Sequence, residues 1–124
     1  MKQVLNSKQL SQLGPYSHIV RTGNTYYFSG QLGINLHTGQ MGETIEEQTT
    51  FALENIQLLL QEAGLTKNAI VKTLVLLKDI QDFPAMNQIY GNFFDHEPPA
   101  RSAFQVAALP NNGLVEIEVI AVNE

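Results

Sequence analysis

The sequence predicts an α+β domain in which two helices lie on one face of a mixed β-sheet. Three observations lead there. β-Branched and aromatic residues gather at 25–29, and apolar residues alternate along 69–79 and 114–122, the period of strands. Along 45–63 they step by three and four, the period of a helix, and turn residues divide these segments into the order ββ-α-β-α-ββ. A chain of 124 residues has room for one real core and no second module, so residues 1–124 are expected to form a single domain.

The first fifteen residues are mixed and polar, and Gly14-Pro15 is a turn pair that releases the chain into a strand over 16–21. Thr22-Gly23-Asn24 turns it back into a second strand over 25–29, completing a hairpin. Residues 30–42 read as a loop with glycines at 30, 33, 39 and 42. Ile45, Thr49, Ala52, Ile56, Leu59 and Ala63 then share one helical stripe; Glu43, Glu46 and Glu47 suit the positive end of the helix dipole, and Gly64 suits the C-terminal cap. Over 69–79 a long, mostly buried strand places Val71, Thr73, Val75 and Leu77 on one face and Ile70, Lys72, Leu74 and Leu76 on the other. Asp82 can cap a second helix to about Phe94, with Pro84 tolerated in its first turn and Pro98-Pro99 forbidding continuation. Residues 101–108 and 114–122 are two further strands joined by a turn-rich loop. Val71, Val75, Val115, Ile117 and Val119 keep the strands apolar while no third helix is present to cover them, so the second sheet face is expected to be buried by other subunits.

Composition narrows the chemistry. Hydrophobic residues make up 44% and charged residues 15%, the balance of a globular chain and not of a disordered one. Twelve acids against 7 bases give a net charge of −5, which repels a polyanion such as nucleic acid. With 0 cysteines there is no disulfide, thiolate nucleophile or Cys-ligated metal. His18, His37 and His96 lack the spacing of a metal site, so no metal is expected. No P-loop, nucleophile elbow or dinucleotide fingerprint is present. No apolar run approaches the ~20 residues of a membrane helix, and 1–6 lack the apolar core of a secretory signal, so a cytoplasmic address is expected.

Arg101 follows Pro98-Pro99-Ala100, a rigid approach that presets the start of a strand. Its guanidinium can grip a carboxylate through two parallel hydrogen bonds, although a surface ion pair is the plainer reading. Glu116 and Glu118 project from one strand face that they share with Leu114, Ile120 and Val122; a half-buried carboxylate there needs a partner or becomes a proton carrier. If the last two strands pair across their loop, Arg101 lies about five residues from the position opposite Glu116, or ~16 Å, and a site using both is more easily built between subunits. Ser29-Gly30-Gln31 ends a strand where glycine permits close approach to an anion, or simply a turn. Tyr16 and Asn87 say little individually.

Taken together the motifs say more. Gly14-Pro15-Tyr16, Ser29-Gly30-Gln31, Thr38-Gly39, Asn55-Ile56, Ala63-Gly64-Leu65, Val71-Lys72-Thr73, Lys78-Asp79, Asn87 with Tyr90 and Phe93-Phe94, Pro99-Ala100-Arg101-Ser102 and Glu116-Ile117-Glu118 resemble the reactive intermediate deaminase (Rid, or YjgF) family, in order, over nearly the whole chain. The resemblance implies a chorismate-mutase-like fold, a homotrimer with clefts between subunits, and cofactor-free hydrolysis of 2-imino or enamine acids such as 2-aminoacrylate and 2-iminobutanoate to 2-keto acids and ammonia. It places the carboxylate-binding arginine at Arg101 and the water-directing acid at Glu116. Tyr16, Ser29, Gly30 and Asn87 fall on cleft positions, and Ala103 contributes a backbone N–H where many members have cysteine. Gly33 and Leu36 replace common prolines, which implies a looser cleft edge, and His18 replaces a Gln-like residue. A trimer that binds a small carboxylate without turnover is the main alternative, and an RNA-directed activity attached to some relatives ranks below it.

Overall fold

Helix α1 (Ile45–Glu62) begins where local chemistry allows: Thr44 is extended and its hydroxyl accepts from the Glu47 N–H, while the Glu47 carboxylate accepts from the Glu43 N–H. In the computed structural model, which describes residues 1–124, Ile45, Thr49, Ala52, Ile56 and Leu59 are buried as one stripe. Gly64, at φ 72°, ends the helix in a conformation that side chains resist. Helix α2 (Phe83–Phe93) packs beside α1 on the same sheet face, with Met86 and Tyr90 buried.

The strands are β1 (Gln3–Leu5), β2 (Ile19–Thr22), β3 (Thr25–Phe28), β4 (Gln31–Leu32), β5 (Ile70–Leu77), β6 (Ala100–Gln105) and β7 (Val115–Val122). They form one mixed sheet in the order β1-β2-β3-β7-β5-β6, with β4 joined to β7 beyond the end of β3. Only β5 and β6 run parallel, as the two strands of a β-α-β unit around α2. The expected α+β class, with two helices on one face of a mixed sheet, is therefore observed.

Several finer expectations need correction. β1 and β4 arise from segments read as irregular: β1 pairs along the edge strand β2, and β4 is two residues of the glycine loop caught by β7. The last two strands do not pair, because β5 lies between them. Val75, Val115, Ile117 and Val119 face the helices and are fully or almost fully buried within one chain, so they are not evidence for an uncovered apolar face. A register shift between Ile70 and Lys72 breaks the alternation, burying Ile70 and turning Val71 outward at 48% exposure. Asp82 stands at the N-cap of α2 but its side chain makes no capping bond; Asp79 instead accepts from the Gln81 N–H one turn earlier. The face opposite the helices carries half-buried Leu74, Leu76 and Ile120, exposed Tyr27 and Phe104, and the acids Glu116 and Glu118.

Candidate active site

The chain breaks pairing with β7 between β3 and β4, and Ser29 and Gly30 occupy the break. Ser29 is tied there by its hydroxyl, which donates to the Ser17 carbonyl at 2.6 Å. A Cβ on Gly30 would stand 2.9 Å from the Glu116 carboxyl carbon, so the glycine leaves room for that side chain in the position it occupies. Glu116 thus lies against bare backbone at the wall of a cleft of about 650 Å³, also bordered by Tyr16, Ser29, Gln31 and Glu118. Burial pushes the Glu116 carboxyl above the ordinary carboxylate range, and the neighbouring charge of Glu118 pushes it further. A carboxyl group so placed keeps its proton to higher pH than a free carboxyl does, the property that suits an acid to carry protons to and from a bound molecule.

Arg101 stands on β6 opposite Thr73, and Ala103 opposite Val75. Its Nη1 donates to Asn87 Oδ1 at 2.7 Å, and its guanidinium carbon lies 4.6 Å from the Tyr90 ring centre and 5.3 Å from that of Phe83. Lys67 pairs with Asp95, and no acid stands within 4.0 Å of the Arg101 guanidinium, so the surface ion pair considered for Arg101 is not formed. Its charge is held by an amide oxygen and aromatic faces, with no acid to neutralise it.

The seven residues singled out from sequence therefore fall into two groups. Tyr16, Ser29, Gly30 and Glu116 meet at the cleft. Asn87 and Arg101 meet on the helix side, where Ala103 follows two residues along the same strand face. Arg101 aligns with Thr73 and Glu116 with Leu76, adjacent-parity positions of β5 whose side chains point to opposite sheet faces. Three residues along the sheet and two strand spacings across it also separate their Cα atoms by ~14 Å. Within one chain the two groups do not form one site.

Two residues that shape the cleft were given no role by the sequence, although Asn55 stands in one of the family motifs. Gln48 and Asn55, both buried on α1, look there like polar interruptions of an amphipathic helix. Gln48 donates to the Gly42 carbonyl and accepts from the Leu114 N–H, and Asn55 donates to the Ile34 carbonyl at 2.9 Å, leaving its own Oδ1 buried without a partner. Together they pin both ends of the loop beside the cleft. A Cβ on Gly33 would lie 2.4 Å from the Gln48 backbone, so at this glycine the loop seats directly on α1. His18 is buried: Nδ1 accepts from the Ser7 N–H at 2.9 Å and Nε2 faces the Ser11 carbonyl at 3.3 Å. It holds the N-terminal segment whose Gln9, Leu10 and Ser11 border the cleft. No cluster of three His, Asp or Glu side chains is arranged to hold a metal, and no helix is long and apolar enough to cross a membrane.

Fold and cleft together define an α+β protein of the YjgF kind with a concavity of small-molecule size. Residues 6–123 match the model described as endoribonuclease L-PSP, and the chain belongs to that family, the Rid/YjgF family that its motifs resemble. It is 45% identical to the mouse 2-iminobutanoate/2-iminopropanoate deaminase, over 98% of this chain and 90% of that one. The YjgF gene product of E. coli superposes with a TM-score of 0.94 at 36% identity, covering 98% of this chain and 99% of the other. E. coli TdcF, solved with bound serine, superposes with a TM-score of 0.94 at 33% identity over the same shares of the two chains.

Proposed function

We propose that the chain hydrolyses 2-imino and enamine acids, such as 2-iminobutanoate and 2-aminoacrylate, to 2-keto acids and ammonia. The observation that carries this reading is Arg101, a cation without an acidic partner whose in-plane donors other than the one given to Asn87 are free for a carboxylate. The names of the mouse, goat and bovine relatives, at 44–46% identity, support the same reaction. In this scheme Arg101 binds the substrate carboxylate, with Asn87 steadying it and the Ala103 N–H beside it. Glu116 takes a proton from water as the oxygen attacks the imine carbon, then returns that proton to nitrogen. The resulting tetrahedral adduct carries a hydroxyl and an amino group; as its C–N bond breaks the hydroxyl proton passes to nitrogen, so ammonia leaves and the keto group forms. An enamine acid enters the same route once its β-carbon gains a proton and its nitrogen loses one, which converts it to the imine. An imine carbon is already electrophilic, so these groups require no cofactor.

Because Arg101 and Glu116 face opposite sides of one sheet, the scheme places the Arg101 group of one subunit against the Tyr16, Ser29, Gly30 and Glu116 cleft of another. A homotrimer with three such clefts satisfies this, and its contacts would cover Leu74, Leu76, Ile120 and Phe104. A second reading draws on the serine bound to TdcF: a regulatory trimer that holds a small carboxylate without turning it over. An RNA-directed role, as the family description names, meets a net charge of −5.

The test couples threonine dehydratase, which releases 2-iminobutanoate, to semicarbazide, which traps the free imine. Wild-type protein is expected to suppress semicarbazone formation, and Arg101→Ala to lose that effect. No suppression by wild type, with a 2-keto acid still bound in calorimetry, overturns the hydrolase in favour of the binding protein.

A further inference from the structure

Arg101 carries an unusual solvation problem. It is half-buried, its only protein hydrogen bond goes to Asn87, and no carboxylate balances its charge. A protein acid at this point would balance the charge but occupy the N–H edge that a substrate carboxylate needs. Aromatic faces solve both demands, because a ring stabilises the cation from above its plane and leaves the in-plane donors free. Phe83, Asn87 and Tyr90 step by four and three along α2, which puts all of them on the stripe that meets Arg101.

We propose that Tyr90 and Phe83 are positioning residues for Arg101, forming an aromatic platform that holds its guanidinium in the carboxylate-binding orientation. The proposal rests on the reading of Arg101 as the substrate anchor. Tyr90 is itself fixed: its hydroxyl shares a 2.7 Å hydrogen bond with Thr73, and the Phe94 ring packs against it at 4.7 Å. Thr73 is also the register partner of Arg101, so platform and arginine are aligned to one point of the sheet. Burial pushes the Tyr90 phenol above its ordinary value, outweighing the opposite pulls of Thr73 and Arg101. The ring therefore stays neutral at physiological pH and does not become a phenolate that would compete for the guanidinium. A preoriented arginine loses less side-chain freedom when substrate arrives, an advantage that is expressed in affinity.

The test compares Tyr90→Leu, which removes the ring, with Tyr90→Phe, which keeps it and removes only the hydroxyl. Two readouts are taken: steady-state hydrolysis with 2-oxobutanoate titration, and the Arg101 Nε–H resonance in a nitrogen-correlated spectrum, assigned by its disappearance in Arg101→Ala. Tyr90→Leu is expected to raise KM and weaken 2-oxobutanoate binding by about five- to tenfold, with kcat changed by less than about twofold. The Arg101 signal should move to the position of a freely rotating arginine, and Tyr90→Phe should restore both signal and affinity. An unchanged signal and KM in Tyr90→Leu, or equal impairment in Tyr90→Phe, overturns the platform. Should Tyr90→Leu fail to fold, Phe83→Leu, a half-buried position at the start of the helix, is judged by the same criteria with a smaller shift. If wild type binds no 2-oxobutanoate, the anchoring role falls, while the Arg101 resonance still decides whether the rings hold the side chain.

Discussion

Glu116 keeps its proton more tightly in the fold than in an unfolded chain, because burial and the adjacent Glu118 both disfavour its charge. In the window between the ordinary and the raised value, the native state therefore binds more protons than the unfolded state. Stability contributed by this group is greatest below that window, falls as pH rises through it, and is level above. Glu116→Gln removes the cost, so the variant's advantage over wild type in urea unfolding should grow with pH across the window and then stay constant. The same substitution removes the proposed proton carrier, and kcat should fall by about 10²- to 10⁴-fold. Gly30→Ala tests the geometry from the other side: its methyl meets the Glu116 carboxyl carbon at 2.9 Å, so turnover should drop while the helices keep their melting temperature. Arg101 and Glu116 could be singled out as candidates in the sequence because a rigid proline approach and an alternating strand mark them, while their roles came from the family resemblance alone. Tyr90 was not, since an aromatic residue on a helical stripe reads as core until its cationic neighbour is seen.

Among the elements, α1 was the most legible, because its stripe, first-turn acids and terminal glycine all agree on one boundary. β4 was illegible for the opposite reason: two residues between glycines have no period, and only β7 makes them a strand. The pairing of the last two strands, entertained as one possibility on the strength of their short, turn-rich loop, is not formed. The strand-helix-strand run of β5, α2 and β6 was the better signal, since a crossover helix returns the chain parallel to the strand it left. Gln48 shows how a polar residue in a helical stripe can act on other elements. Gln48→Ala would leave the Leu114 N–H and Gly42 carbonyl without partners and should cost about 1–3 kcal/mol in denaturant unfolding. Faster amide exchange at Leu114, at the mouth of β7, would locate the damage there.

At the level of the whole molecule, the division of the candidate residues between two sheet faces makes a prediction that no single-site variant can mimic. Arg101→Ala and Glu116→Gln should each be inactive alone. Mixed in equal amounts and allowed to exchange subunits, they should recover about a quarter of wild-type activity, because that share of the proposed clefts draws both intact residues from different chains. A mixture that stays inactive, with mixed trimers demonstrated by native mass spectrometry, would oppose a shared cleft. The uncovered face was foreseen in outline but from the wrong valines; Leu74, Leu76, Ile120 and Phe104, not Val75 or Ile117, are the apolar residues it presents.

The two-sided layout also bears on dosage. If one chain supplies the anchor and another the acid, an isolated chain is catalytically silent however well folded it is. Specific activity should then climb with protein concentration through the range where subunits associate, and plateau above it. Synthesis just sufficient to populate single chains would give the cell none of the reaction, and a modest increase beyond that point would give nearly all of it.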